Sequence, residues 1–157
     1  MKDLQINPII KEAQFDELND EERQLIELAI EGTSRSYAPH SNFHVGAAIQ
    51  LKNGVKIIGC NQENAAFPAG ICAERSAIFA AGAQSPDQPV IMLAITARGR
   101  DGELIEEPAS PCGTCRQVLI ETETRFNQSI RILLYGRNRV YVMDGIKQLM
   151  PLSFTEF

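Results

Sequence analysis

The sequence predicts an α/β fold, a three-layer α/β/α sandwich around one mixed five-stranded sheet. Three observations lead there. Helix-period segments alternate with short apolar runs from Asn19 to the C-terminus. One run, Pro89–Ala97 (PVIMLAITA), is almost continuously apolar, as in a strand covered on both faces. Between two strand-like segments stands Asn53-Gly54, a strong hairpin signal. With 157 residues, 44% hydrophobic and 22% charged, the chain has the length and composition of one globular domain.

The elements follow in order. Residues 1–18 have no clear period and are expected to form an irregular arm ahead of one domain spanning 19–157. A helix is expected from Asn19 or Asp20. Either can cap it, and Asp20, Glu21 and Glu22 suit the positive end of the helix dipole. Leu25, Ile26, Leu28, Ala29 and Ile30 give it a broad apolar face, and Gly32 falls at its end. Val45–Leu51 and Val55–Asn61 read as the hairpin strands. Cys72–Ala83 is Ala-rich and reads as a buried helix, and Pro89–Ala97 as the next strand. Cys112–Glu123, after Pro111, reads as a further helix. Strands follow at Ile130–Tyr135 and Val140–Met143, and a short helix near Gly145–Met150 ends at Pro151.

The net charge is −5, with no Lys/Arg cluster. Nucleic-acid binding draws on phosphate neutralisation, so no nucleic-acid partner is expected. No apolar run is long enough to span a bilayer, and the start MKDLQINPIIKE does not read as a secretory signal. The expectation is a cytoplasmic protein with no membrane association, in which thiols stay reduced. The four cysteines, Cys60, Cys72, Cys112 and Cys115, are then core residues, metal ligands or catalysts rather than disulfides.

Three of them form a pattern. Cys112 and Cys115, three apart, share a face in the first turn of a helix. Cys72 opens another helix. A helix N-terminus favours thiolate, the form that binds metal. Three thiolates give Zn²⁺ three protein ligands and an open position, which is the catalytic arrangement; four would close the site and make it structural. Glu74, two residues after Cys72, can take a proton from a water in the open position and pass it to a substrate. Arg75, on the same helical face as Cys72, can hydrogen-bond a thiolate and offset its charge. Arg116, four after Cys112, is a second candidate for that role. Two other readings compete: a thiol redox pair at Cys112-Gly113-Thr114-Cys115, which leaves Cys72-Ala73-Glu74 unexplained, and a closed structural zinc module that also uses Cys60.

Cys72-Ala73-Glu74 followed by Pro111-Cys112-Gly113-Thr114-Cys115 resembles the zinc nucleoside and nucleobase deaminase signature. Ser36–Ala48 (SYAPHSNFHVGAA), Gly59–Ala65 (GCNQENA) and the ending Leu149–Phe154 (LMPLSF) resemble the small, homotetrameric, three-cysteine cytidine deaminases. The resemblance runs from about residue 20 to Phe154. It implies one zinc per chain, hydrolytic deamination of cytidine and 2′-deoxycytidine in pyrimidine salvage, and a homotetramer. It also implies roles: Phe43 against the pyrimidine or sugar, Asn61 and Glu63 on the ribose 3′-OH, and the Ala73 N–H on the pyrimidine O2. Ala65 and Phe154 match positions where neighbouring subunits meet. His40 and Phe67 stand where the family commonly has Tyr, and Gln62 replaces a usually apolar residue. By strand alternation Cys60 points away from Asn61 and Glu63 and is expected in the sheet, off the metal. The two histidines, His40 and His44, are expected as loop residues. A deaminase of nucleoside antibiotics would share the cysteine pattern, but such relatives generally lack an element like Asn61-Gln62-Glu63-Asn64.

Overall fold

The computed structural model describes residues 1–155. Its centre is one mixed sheet of strands β1 (Lys11–Ala13), β2 (His44–Leu51), β3 (Lys56–Cys60), β4 (Val90–Arg98), β5 (Arg131–Tyr135) and β6 (Val140–Asp144). Their spatial order is β1-β6-β5-β4-β2-β3. Only β4 and β5 are parallel, with Ile95 opposite Leu134. The β2–β3 hairpin forms at Asn53-Gly54, where Gly54 takes a φ of +88° that suits glycine.

Helices cover both faces. On one side lies α1 (Asp20–Thr33), where Leu25, Ile26 and Ala29 pack on Ala48, Met92, Ala94, Leu133 and Val142. On the other lie α2 (Ala73–Gln84) and α3 (Gly113–Phe126), where Ala77, Ile78, Leu119 and Ile120 pack on Ala47, Ile49, Leu93, Ile95 and Ile132. Successive residues of β2 and β4 thus enter opposite cores, which explains why Pro89–Ala97 has no polar face. The three-layer sandwich is as expected.

The start of α1 is set by reciprocal bonds. The Asn19 side chain accepts from the Glu22 N–H at 2.9 Å, and the Glu22 carboxylate accepts from the Asn19 N–H at 3.1 Å. The buried Glu22 also pairs with Arg131 at 2.9 Å, tying α1 to β5. Asn127 ends α3 in the left-handed region, at φ 47°.

Two glycines let the layers approach. A Cβ on Gly46 would lie 1.9 Å from the Ala29 carbonyl oxygen of α1, and one on Gly59 would lie 2.3 Å from the Ala73 carbonyl oxygen of α2. The hairpin is therefore pinned by backbone contact on each face.

Two expectations need correction. The sheet has six strands, not five, because the expected arm contributes β1, antiparallel to β6 with Lys11 opposite Val142. The expected helix near Gly145–Met150 is a single 3-10 turn, Ile146–Gln148, hemmed by Gly145 at φ +91° and Pro151. Among the described residues, no helix is long and apolar enough to cross a membrane.

Candidate active site

Two helix starts build the chemical half of the site. Cys72 is the N-cap of α2 and Cys112 the N-cap of α3, and neither thiol caps its own helix. Cys115 lies one turn into α3, fully buried. The Sγ atoms of all three lie within 4.8 Å of one another. Cys72 and Cys112 are 3.8 Å apart, and Cys112 and Cys115 are 3.5 Å apart. Tetrahedral zinc with Zn–S of about 2.3 Å requires S···S edges of about 3.8 Å. The donor set therefore fits zinc in type and spacing and, among the described residues, leaves a fourth direction without a protein ligand.

Proton sharing within the cluster is uneven. The Cys72 thiol is pulled down to about 5, first by a hydrogen bond from Cys115, then by Arg75 and Cys112, against its partial burial. Cys115 is pushed up, first by that same bond to Cys72 and then by burial. An Arg75 Nη donates to the Cys72 Sγ at 3.5 Å, while its buried Nε has no hydrogen-bond partner among the described residues. Arg116 does not share this task. It donates to the carbonyls of Pro111 and Leu149, both at 2.8 Å, and so braces the loop before Cys112 against the C-terminal segment.

Glu74 sits in the first turn of α2 with 4% of its surface exposed. Burial pushes its carboxyl above the ordinary carboxylate range, against the pull of its own backbone N–H, and the nearby Cys72 adds to the rise. A buried carboxyl whose charged form is disfavoured suits a group that both accepts and returns a proton.

Glu74, Arg75, Cys72 and Cys112 face a cavity of about 570 Å³. Ala109, Ser110 and Ile95 form more of its wall, and Phe43, Asn61 and Glu63 lie along the same cavity. Ala73 is buried at the first position of α2, where its N–H has no intrahelical acceptor.

Asn61 and Glu63 are already engaged by the chain. The Asn61 Oδ1 accepts from the Val45 N–H at 2.8 Å, and its Nδ2 donates to the Phe43 carbonyl at 2.9 Å. Glu63 accepts from the N–H groups of His40 (2.8 Å) and Ser41 (3.2 Å) and from the Ser41 hydroxyl. These bonds, the Ser41 hydroxyl foremost, hold its carboxyl below the ordinary range against the cost of burial. An ionised carboxylate offers about four acceptor positions and an amide nitrogen two hydrogens. What remains is one acceptor on Glu63, and one donor and one acceptor on Asn61.

Other expected residues lie elsewhere. Cys60 pairs with Gly46 across the hairpin and so faces the α1 side of the sheet. Its thiol donates to the Arg35 carbonyl at 3.3 Å, and the three-cysteine cluster does not include it. His44 starts β2 rather than lying in a loop and bonds the Ser36 hydroxyl at 2.6 Å, while His40 lines the cavity. Ala65 is exposed in the loop before Phe67, which is 85% exposed. Phe154 is exposed on the C-terminal segment, and its carbonyl accepts from Gln117 at 2.8 Å. Sequence reasoning assigned no task to Ser41, although it stands within the quoted Ser36–Ala48 motif.

Three thiols at two helix starts, with a buried acid beside them and a cavity in front, form an arrangement suited to metal-assisted hydrolysis. The comparisons are specific. Residues 19–128 match the cytidine and deoxycytidylate deaminase zinc-binding region. The cytidine deaminase of Sporosarcina psychrophila is 39% identical over 133 residues, 85% of this chain and 90% of that protein. That of Halalkalibacterium halodurans is 39% identical over 99 residues, 63% of this chain and 70% of that protein. The crystal structure of cytidine deaminase from Burkholderia pseudomallei matches with a TM-score of 0.72 at 34% identity, covering 87% of this chain and 100% of that one. The chain belongs to the cytidine deaminase family of enzymes.

Proposed function

We propose that the protein is a zinc-dependent hydrolase converting cytidine and 2′-deoxycytidine to uridine and 2′-deoxyuridine plus ammonia, in pyrimidine salvage. The observation that carries this is Glu74, buried beside the three-thiol cluster in a cavity whose other residues include Asn61 and Glu63. Cys72, Cys112 and Cys115 would hold one zinc per chain, which when bound would acidify a water to serve as nucleophile.

The residues then divide the work. Glu74 accepts the proton of the attacking water and delivers it to N3 of cytosine as C4 is attacked. The same carboxyl next moves a proton to the exocyclic nitrogen, so that ammonia rather than amide ion departs. The Ala73 N–H orients the base through O2. Arg75 draws charge from Cys72 and so limits the loss of electrophilicity that three thiolates impose. Phe43 packs against the substrate. The remaining acceptor of Glu63 and donor of Asn61 together match one hydroxyl, which donates to the first and accepts from the second, as expected for the ribose 3′-OH. Polar groups left unpaired reject a substrate lacking that hydroxyl.

Assembly as a cytoplasmic homotetramer is part of the proposal. It is supported by the exposure of Phe67 and Phe154, at 85% and 63%. The whole reading is tested by ultraviolet absorbance with cytidine, deoxycytidine and cytosine, alongside zinc analysis. Turnover of both nucleosides well above cytosine, lost on chelation and restored by zinc, is expected. Equal efficiency on cytidine and cytosine would remove the hydroxyl-binding role of Asn61 and Glu63.

A further inference from the structure

Ser41 sits between two groups that the proposed reaction uses. Its hydroxyl donates to Glu63 and accepts the Phe43 N–H at 3.0 Å. Its own N–H donates to the other oxygen of Glu63 at 3.2 Å. Its carbonyl accepts from the Arg100 Nε at 3.3 Å, from the segment after β4. Asn42, the next residue, is held at φ 53°, a left-handed conformation that a short polar side chain tolerates. The chain thus turns sharply between Ser41 and Phe43, and both ends of the turn hang on one hydroxyl.

We propose that Ser41 is the positioning residue for substrate recognition, acting through Glu63 and Phe43 without touching the reacting atoms. This deepens the nucleoside reading above and rests on it. The hydroxyl occupies one Glu63 oxygen and orients the carboxylate, so that a single acceptor faces the sugar. The same hydroxyl fixes the backbone from which the Phe43 ring, 37% exposed, extends at the cavity. Without it, Glu63 gains a second open acceptor and the Phe43 N–H loses its partner, so the match to one hydroxyl blurs. The proton path through Glu74 lies on α2 and does not include Ser41, so the effect falls on binding and discrimination rather than on the chemical step.

The test is the ratio of kcat/KM for cytidine to that for 3′-deoxycytidine, with kcat and KM separated and zinc content read on each variant. Ser41→Ala is expected to raise the KM for cytidine about tenfold, the loss of one charge-assisted hydrogen bond, and to lower the ratio by a similar factor. The kcat should stay within about threefold. Ser41→Thr, which keeps the hydroxyl, should recover most of the ratio. Arg100→Ala, which removes only the brace on the carbonyl, should lower the ratio in the same direction by a smaller factor, and it carries the test if Ser41→Ala fails to fold. An unchanged ratio in the folded variants, or a kcat loss with KM intact, would overturn the assignment of Ser41 alone. A wild-type protein inert towards cytidine would instead overturn the nucleoside reading beneath it.

Discussion

The two ends of the cavity are built differently. The thiol end stands on the first turns of two long helices, with Cys115 and Glu74 buried and their backbones locked by helix geometry. The other end, where the sugar is proposed to bind, is made of loops, residues 36–43 and 61–71, held by side chains that bond backbone groups: Asn61 to Val45 and Phe43, Glu63 to His40 and Ser41. Helix starts give precision to groups that must share a proton over a fixed distance. Loops bonded by an amide and a carboxylate give a surface whose selectivity depends on counting hydrogen bonds. The chemical step and the recognition step should therefore fail separately.

The largest separation comes from Glu74→Gln. The amide keeps the shape but cannot shuttle a proton, so kcat should fall by about 10²–10⁴-fold with zinc near one per chain and KM little changed. Steady-state kinetics with metal analysis checks it; unchanged kcat would remove the acid/base role. Glu63→Ala acts at the other end. It should cost about 10–100-fold in kcat/KM for cytidine, mostly through KM, because it removes the proposed sugar acceptor and frees the His40-Ser41 backbone donors. A kcat loss with KM intact would show that the two ends are not independent. The smallest effect belongs to Cys60→Ser, across the sheet from both. Zinc should stay near one per chain and activity within about twofold. Loss of zinc would place Cys60 in the metal site.

Legibility follows the same division. The helix starts could be read in advance because Cys112 and Cys115 stand one turn apart after a proline, and because Cys72 and Glu74 open an Ala-rich segment. Local spacing is all that these positions need. The strands were legible where both faces are buried, as in Val90–Arg98. β1 was not, since Lys11-Glu12-Ala13 carries no alternation and becomes a strand only because β6 offers a free edge. Arg116 was open between thiolate and other partners, and the choice fell to two carbonyls, one of them 33 residues away at Leu149. The engagement of Glu63 was hidden for a similar reason. A sequence shows a carboxylate, but its three donors come from a loop 22 and 23 residues earlier, brought to it by the fold.

Gly59 gives the molecule a gauge. Its missing side chain lets β3 touch the first turn of α2 backbone to backbone. Glu74 follows the contacting Ala73 by one residue, and Asn61 follows Gly59 by two. The span from the Glu74 carboxyl to the Asn61 amide is thus set with no side chain as a shim. Side chains can repack to take up a change in substrate length; two abutting backbones cannot. Single replacements around the cavity can alter which hydroxyl or ring substituent is welcome. On the proposed function, the length between base and sugar stays locked unless the strand itself shifts, so a nucleoside with a longer link between them would be excluded by the frame rather than by the wall.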